Sequence, residues 1–248
     1  MAELIKIESE NFVRVITMNR PDKRNALNSE MCDALHDAWQ DFAGSEDRVA
    51  LLRAEGSVFT AGLDTNDPPD SFWHAIPNVA FDIGKPVIAA VNGPVIAAGV
   101  SMLAFCDLCV ATSATTFVYP EGRLGMAAGL ISSLVGRIPH KIAMELMLTG
   151  RPVSAQRAYE VGFVNELCEP GSETEAALVT ARQIASAAPL VLRFLKQAAR
   201  HSIPVGLVEA GYSAQYQAQM LARSEDAREG ALAAKERRAP VSWAARTN

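Results

Sequence analysis

Glu121 follows Pro120 in an otherwise apolar, glycine-punctuated stretch, Phe117-Val-Tyr-Pro-Glu-Gly-Arg-Leu-Gly125. A carboxylate there can take and return a proton if it is partly desolvated, because losing water disfavours the charged form and moves the pKa toward neutrality. The plain alternative is a surface glutamate beside Arg123. Two further stretches, Gly56-Ser-Val-Phe-Thr-Ala-Gly-Leu-Asp64 and Ala97-Ala98-Gly99, carry glycines and alanines that let a ligand approach the backbone closely. Taken alone, Ala97-Ala98-Gly99 reads as tight helix packing. Cys106 and Cys109 form a CxxC with no second CxxC or His pair nearby, so it reads as structural and no metal is expected. With only Cys32 and Cys168 besides, a disulfide framework is not expected either. Dinucleotide and P-loop glycine patterns are absent, and Gly122, Gly125 and Gly129 have the wrong spacing for them.

The elements that must position these residues alternate between strand and helix. Leu4, Ile5 and Ile7 and then Phe12–Met18 read as an antiparallel hairpin. The polar loop Asn19-Arg-Pro-Asp-Lys-Arg-Asn-Ala-Leu-Asn28 follows, and Asn28 or Ser29 can cap a helix in which Met31, Leu35, Trp39 and Phe42 recur at helical spacing. Arg48–Arg53 and Pro86–Val91 read as short buried strands, Ala97–Phe105 as a helix buried on all sides, and Leu108–Thr112 as a strand. Pro152–Gly162 predicts a capped short helix closed by glycine, and Phe163–Leu167 a returning strand. From Glu173 to Arg238 the pattern is helical, with Pro189 and Pro204 as breaks. The expectation is an α/β core over residues 1–190 and an all-helical part over 191–248.

The chain has 248 residues, of which 49% are hydrophobic and 21% charged, enough to bury a large core. The net charge of −5 argues against a general nucleic-acid binder and favours small-molecule chemistry. Met1–Glu10 lacks an apolar run of signal-peptide length, and no stretch reaches the roughly 18 uninterrupted apolar residues of a membrane span, so a cytoplasmic protein with no membrane partner is expected.

Four of these segments, in this order, resemble the crotonase (enoyl-CoA hydratase/isomerase) superfamily: the Asn19–Asn28 loop, Gly56–Asp64 with its F-x-A-G-x-D pattern, Lys85-Pro-Val-Ile-Ala-Ala-Val-Asn-Gly93 followed by Ala97–Gly99 and Cys106-Asp107, and the F-x-x-P-E-x-x-L-G loop at Phe117–Gly125. Ser224–Gly230 and Lys235–Pro240 look like the family's C-terminal helices. The resemblance implies a spiral of strand-strand-helix repeats, with the helical C-terminal part at subunit contacts in a homotrimer or a dimer of trimers. It implies an acyl-CoA thioester substrate, coenzyme A being part of the substrate and no further cofactor being needed.

By that register the backbone N–H groups of Leu63 and Ala98 would hold the thioester oxygen as negative charge develops on it, each such donor being worth about 3 to 4 kcal/mol of barrier. Gly62 and Gly99 flank them, and Ala98 would sit at the helix end whose dipole favours an anion. Glu121 would be the acid/base. Lys23 and Arg24 would meet CoA phosphates, with Ala26 and the Ala61-Gly62 backbone near the pantetheine and adenine; a solvated loop charge is the alternative. The family's hydratases carry a second Glu where this chain has Ser101, and a serine without an activating partner is no base at neutral pH. Double-bond migration needs only one base and no water, so an enoyl-CoA isomerase using Glu121 alone is the first expectation. A one-Glu hydratase or related lyase, a hydrolase or racemase of the same superfamily, and a non-catalytic acyl-CoA-binding paralogue remain open. The segment between Asp64 and Lys85 is shorter than in typical hydratases; Trp73 and His74 within it could line an acyl pocket or merely pack locally.

Overall fold

A computed structural model describes residues 3–124, 129–203, 225–236 and 238. The chain divides into two compact units, residues 1–200 and 201–248, each taken by itself. The break expected at 190 lies ten residues earlier than this, because the helix that starts at Pro189 is tied back into the first unit: Lys196 Nζ donates to Asp107 Oδ2 at 2.6 Å and Arg200 Nη1 to Asp82 Oδ1 at 2.8 Å.

The first unit is built on a six-stranded sheet ordered β1-β2-β3-β4-β6-β9. Its strands are β1 (Ile5–Glu10), β2 (Val13–Met18), β3 (Val49–Ala54), β4 (Val87–Val91), β6 (Leu108–Thr112) and β9 (Glu166–Cys168). β1 and β2 form the expected hairpin, turned at Asn11 and Phe12, both at positive φ (52° and 66°), as a tight two-residue turn demands. From β2 onward neighbouring strands run parallel. A parallel sheet is covered on both faces, and so its strands read as unbroken apolar runs. Along β3, Ala50 and Leu52 join the cluster that holds α1 (Ser29–Gly44), while Val49 and Leu51 face Ala177, Ala181 and Ala185 of α6 (Glu173–Ser186). Alanines spaced four apart let α6 lie close to the sheet. On α1 the stripe Met31, Leu35, Trp39 and Phe42 is at most 1% exposed, and Asn28 caps the helix by accepting from Met31 N at 3.1 Å. Lys85 Nζ closes its far end, donating to the carbonyls of Phe42 and Ser45.

β9 begins three residues later than the sequence pattern suggests. Phe163 N and Val164 N both donate to Ala158 O and so close α5 (Ala155–Glu160) instead of pairing with β6. The remaining helices of this unit are α2 (Ala98–Ala104), α3 (Glu121–Leu124), α4 (His140–Thr149) and α7 (Pro189–His201), with 3-10 turns at Pro21–Lys23, Phe72–Ala75 and Gly129–Gly136. α4, the last of these turns and a second, three-stranded sheet were not apparent from the sequence. That sheet joins β5 (Val95–Ile96), β7 (Thr116–Val118) and β8 (Val153–Ser154) in the order β5-β7-β8. In the second unit α8 (Glu225–Glu236) carries Glu229, whose carboxylate is paired with Arg238. Pro204 lies outside the described residues, and no described helix is long and apolar enough to cross a membrane on its own.

Trp73 and His74 belong to the 3-10 turn that packs on α1. The rings of His36 and His74 stack at 4.6 Å, and Trp39 Nε1 donates to Ala75 O. Burial, and then the neighbouring His74, hold the His36 imidazole below its ordinary pKa, against the opposing pull of Asp37 and Asp33. The unfolded chain therefore takes up this proton more readily than the folded one, and stability is lost as pH falls below about 6.5. Melting curves of His36→Asn between pH 7 and 5 should show a shallower decline than the parent; an equal slope contradicts this role.

Candidate active site

The small second sheet decides where the chemistry can be. Val95 pairs in parallel with Phe117 and Ile96 with Val118, and on the other side Thr60 forms a parallel bridge with Val95. Leu27 forms a further parallel bridge with Leu63. Segments 24–27, 60–63, 95–98 and 117–121 therefore run side by side in one direction, and their carboxyl ends deliver Leu63, Ala98 and Glu121 to one edge. Ligands of open α/β proteins bind in such positions.

The Leu63 and Ala98 peptides are free to donate. Leu27 N donates to Gly62 O and Asp64 N to Leu27 O, which turns the Leu63 N–H away from that loop, and neither Leu63 N nor Ala98 N hydrogen-bonds within the described residues. Ala98 opens α2, whose first N–H groups are unsatisfied by the helix itself. The residue before it, Ala97, has φ 57° and ψ −119°, a backbone state that L residues rarely occupy and that costs about 1 to 3 kcal/mol. Ala97 N donates to Val118 O at 2.9 Å, so the neighbouring strand holds the strained turn in place.

Gly62 is where the two donor segments meet. At φ 86° it is in the region that favours glycine, and a Cβ on it would fall 2.6 Å from Ala97 Cβ and 3.5 Å from Ala98 N. Gly99 has a different reason from the ligand approach its position suggested: a Cβ there would lie 2.4 Å from Thr60 Cγ2 and 3.0 Å from Val95 Cγ1, so this glycine serves the packing of α2 on the 60–63 segment.

Glu121 is 6% exposed and Arg123 turns away from it, donating to Thr149 O at 2.6 Å. The surface pair Glu121–Arg123 is thereby overturned. Burial pushes the Glu121 carboxyl up to about 6, with its own backbone N–H pulling weakly the other way. The other buried carboxylates among the described residues are Asp47 and Asp64, paired with Arg14 and Arg20, whereas Glu121 has no cationic partner and its Oε2 accepts no hydrogen bond. Ser101 is fully buried on α2, and its Oγ also lacks a partner. Buried polar atoms without partners are rare and costly.

Lys23 and Arg24 are exposed, and neither side chain forms an ion pair within the described residues. Ala26 is buried, Ala61 half-buried, and Ala61 N donates to Arg24 O. Gly125 lies outside the described residues. Cys106 and Cys109 are free thiols with pKa values raised by burial, Cys109 to about 12, which makes them inert at neutral pH. Asn25 is wholly buried, its Nδ2 donating to Glu55 O and Val58 O, and Arg20 pairs with Asp64. Both stand in motifs already noted, yet a polar loop residue gives no local sign of being buried.

One edge of the fold thus carries two backbone N–H groups without partners among the described residues and one desolvated carboxylate. Residues 8–245 match the family model described as enoyl-CoA hydratase/isomerase. The chain is 33% identical to the (E)-benzylidenesuccinyl-CoA hydratase of Thauera aromatica, over 96% of this chain and 98% of that one. It is 32% identical to enoyl-CoA hydratase domain-containing protein 3, mitochondrial, of Danio rerio, over 97% and 88%. The crystal structure of carnitinyl-CoA hydratase from Mycobacterium avium superposes with a TM-score of 0.79 at 32% identity, covering 99% of this chain and all of that one. This chain belongs to the enoyl-CoA hydratase/isomerase family and has the crotonase fold.

Proposed function

We propose that this chain is an enoyl-CoA isomerase in which Glu121 alone carries the proton. The reading rests on one observation: among the described residues, Glu121 is the buried carboxylate left without a cation. The family resemblance supports it, since by that register Ser101 takes the place of a hydratase's second acid. On a 3-enoyl-CoA the Glu121 carboxylate takes the Cα proton. The electron pair of that C–H bond forms a new bond between Cα and the thioester carbon, and the carbonyl π pair moves onto oxygen. The N–H groups of Leu63 and Ala98 stabilise that oxygen. Glu121 then gives its proton to Cγ: the C3–C4 π pair forms the new C–H bond, the π pair between Cα and the thioester carbon moves to join C2 and C3, and the oxygen's electron pair re-forms the carbonyl. No water or net proton is consumed, and the carboxylate is regenerated. Lys23 and Arg24 hold CoA phosphates beside Ala26, Ala61 and Gly62. Assembly into trimers is part of the same reading, and the exposed Leu190, Val191, Phe194 and Leu195 of α7 are consistent with it.

The names of relatives such as the benzylidenesuccinyl-CoA hydratase favour a second reading, hydration, in which Glu121 would both activate water and deliver the proton. Incubation with 3-enoyl-CoA and 2-enoyl-CoA, with products resolved by mass spectrometry, separates the two. The isomerase converts 3-enoyl to 2-enoyl-CoA without accumulating 3-hydroxyacyl-CoA. Dominant 3-hydroxyacyl-CoA replaces it with the hydratase, and unchanged thioesters with a binding protein. As Glu121 acts as a base, kcat/KM should rise with pH through a limb near 6; a flat profile between pH 5 and 8 counts against it.

A further inference from the structure

We infer that Arg20 and Asp64 form a positioning pair that ties the loop expected to bind the CoA phosphates to the first oxyanion donor. This rests on the role proposed for Leu63. A single guanidinium nitrogen, Arg20 Nη1, donates to Asp64 Oδ2 at 2.8 Å and to Ala26 O at 2.9 Å. Those two acceptors lie on opposite sides of the Leu27–Leu63 bridge, one residue before Leu27 and one after Leu63. Arg20, Ala26, Leu27, Leu63 and Asp64 therefore close a ring, and the free N–H of Leu63 is carried by its rim. Asp64 stiffens the far side by accepting from Asn66 N through Oδ1. Hydrogen bonds from Arg20 above all hold the Asp64 carboxyl below its usual pKa, so the pair stays charged across the working range.

Arg20 also stands immediately before the 3-10 turn Pro21–Lys23, and Arg20 N donates to the buried Asn25 Oδ1. Movement of Lys23 and Arg24 onto phosphates thus reaches Leu63 through one short, mostly buried link. A Lys at position 20 would keep the charge but ends one atom short of Nη1 and lacks the rigid guanidinium plane that fixes the directions of the two N–H bonds. The pair positions Leu63 and touches no reacting atom, so its loss should act on kcat more than on KM. Binding energy from the nucleotide end of the substrate would be converted here into alignment at the thioester, which is why truncated substrates lose kcat.

The test measures kcat and KM for Arg20→Lys and Asp64→Asn on a full acyl-CoA and on the matching N-acetylcysteamine thioester, which lacks the nucleotide, with melting temperature as the check on folding. The wild type should lose about 10²-fold in kcat on truncation, and each variant about ten-fold on the full substrate with little change in KM and a much smaller further loss on truncation. Undiminished kcat in folded variants, or the same truncation penalty as the wild type, overturns the pair's role while leaving the proposed function standing. No turnover by the wild type overturns both. If Arg20→Lys unfolds, Asp64→Asn decides alone, since it keeps the shape while removing the charge and turning one of the two acceptor oxygens into a donor.

Discussion

Glu121→Gln should lower kcat by about 10³- to 10⁴-fold and, above pH 6, make the protein more stable than its parent. The two effects have one cause. Burial without a cation makes the ionised carboxylate costly, moving its pKa from 4.5 to about 6. A carboxyl whose folded-state pKa is raised binds its proton more tightly in the folded chain, so its contribution falls as pH climbs from 4.5 to about 6 and stays low above it. A shift of that size corresponds to up to about 2 kcal/mol. Gln cannot ionise, so the gain over the parent should be present at pH 8 and vanish at pH 4.5. Chemical denaturation of both proteins at the two pH values measures it. Lower stability of the variant at pH 8 would mean that Glu121 is a structural residue, and retained turnover would remove it from the chemistry.

The second large effect is expected at Gly62. In Gly62→Ala the new Cβ would meet Ala97 Cβ at 2.6 Å and Ile96 O at 3.0 Å, with φ held at 86°. Something must move, and what moves is one of the two donor segments. Losing one aligned donor costs about 10²- to 10³-fold in kcat, and the strained backbone costs about 1 to 3 kcal/mol of stability. Gly44→Ala is the control, because a Cβ there meets nothing within 4 Å. Steady-state kinetics that leave Gly62→Ala within three-fold of the parent would show that Leu63 and Ala98 do not share a ligand.

The helix α1 was legible because its apolar residues repeat at helical spacing and Asn28 can cap it. The inner strands were legible because burial on both faces leaves them apolar throughout. β5, β7 and β8 were not, since two or three residues cannot display a period, yet these strands bring Ala98 and Glu121 to one edge. Glu121 itself sits between Pro120 and Gly122 with Arg123 beyond, a context that reads as surface; only the family's spacing of motifs pointed to a site. Arg20 and Asp64 lie 44 residues apart, and no local pattern links them. At Gly99 the packing reading of Ala97-Ala98-Gly99 accounts for the missing Cβ, because Thr60 and Val95 fill the space it would take.

The most direct measurement is deuterium uptake at Cα when a saturated acyl-CoA, which can neither isomerise nor be hydrated, is incubated with the wild type and Glu121→Gln in deuterated water. Exchange by the wild type and its loss in the variant is the result that an enolate held by Leu63 and Ala98, with Glu121 as base, predicts. Exchange that survives in the variant, or is absent from both proteins while the thioester still binds, would contradict it.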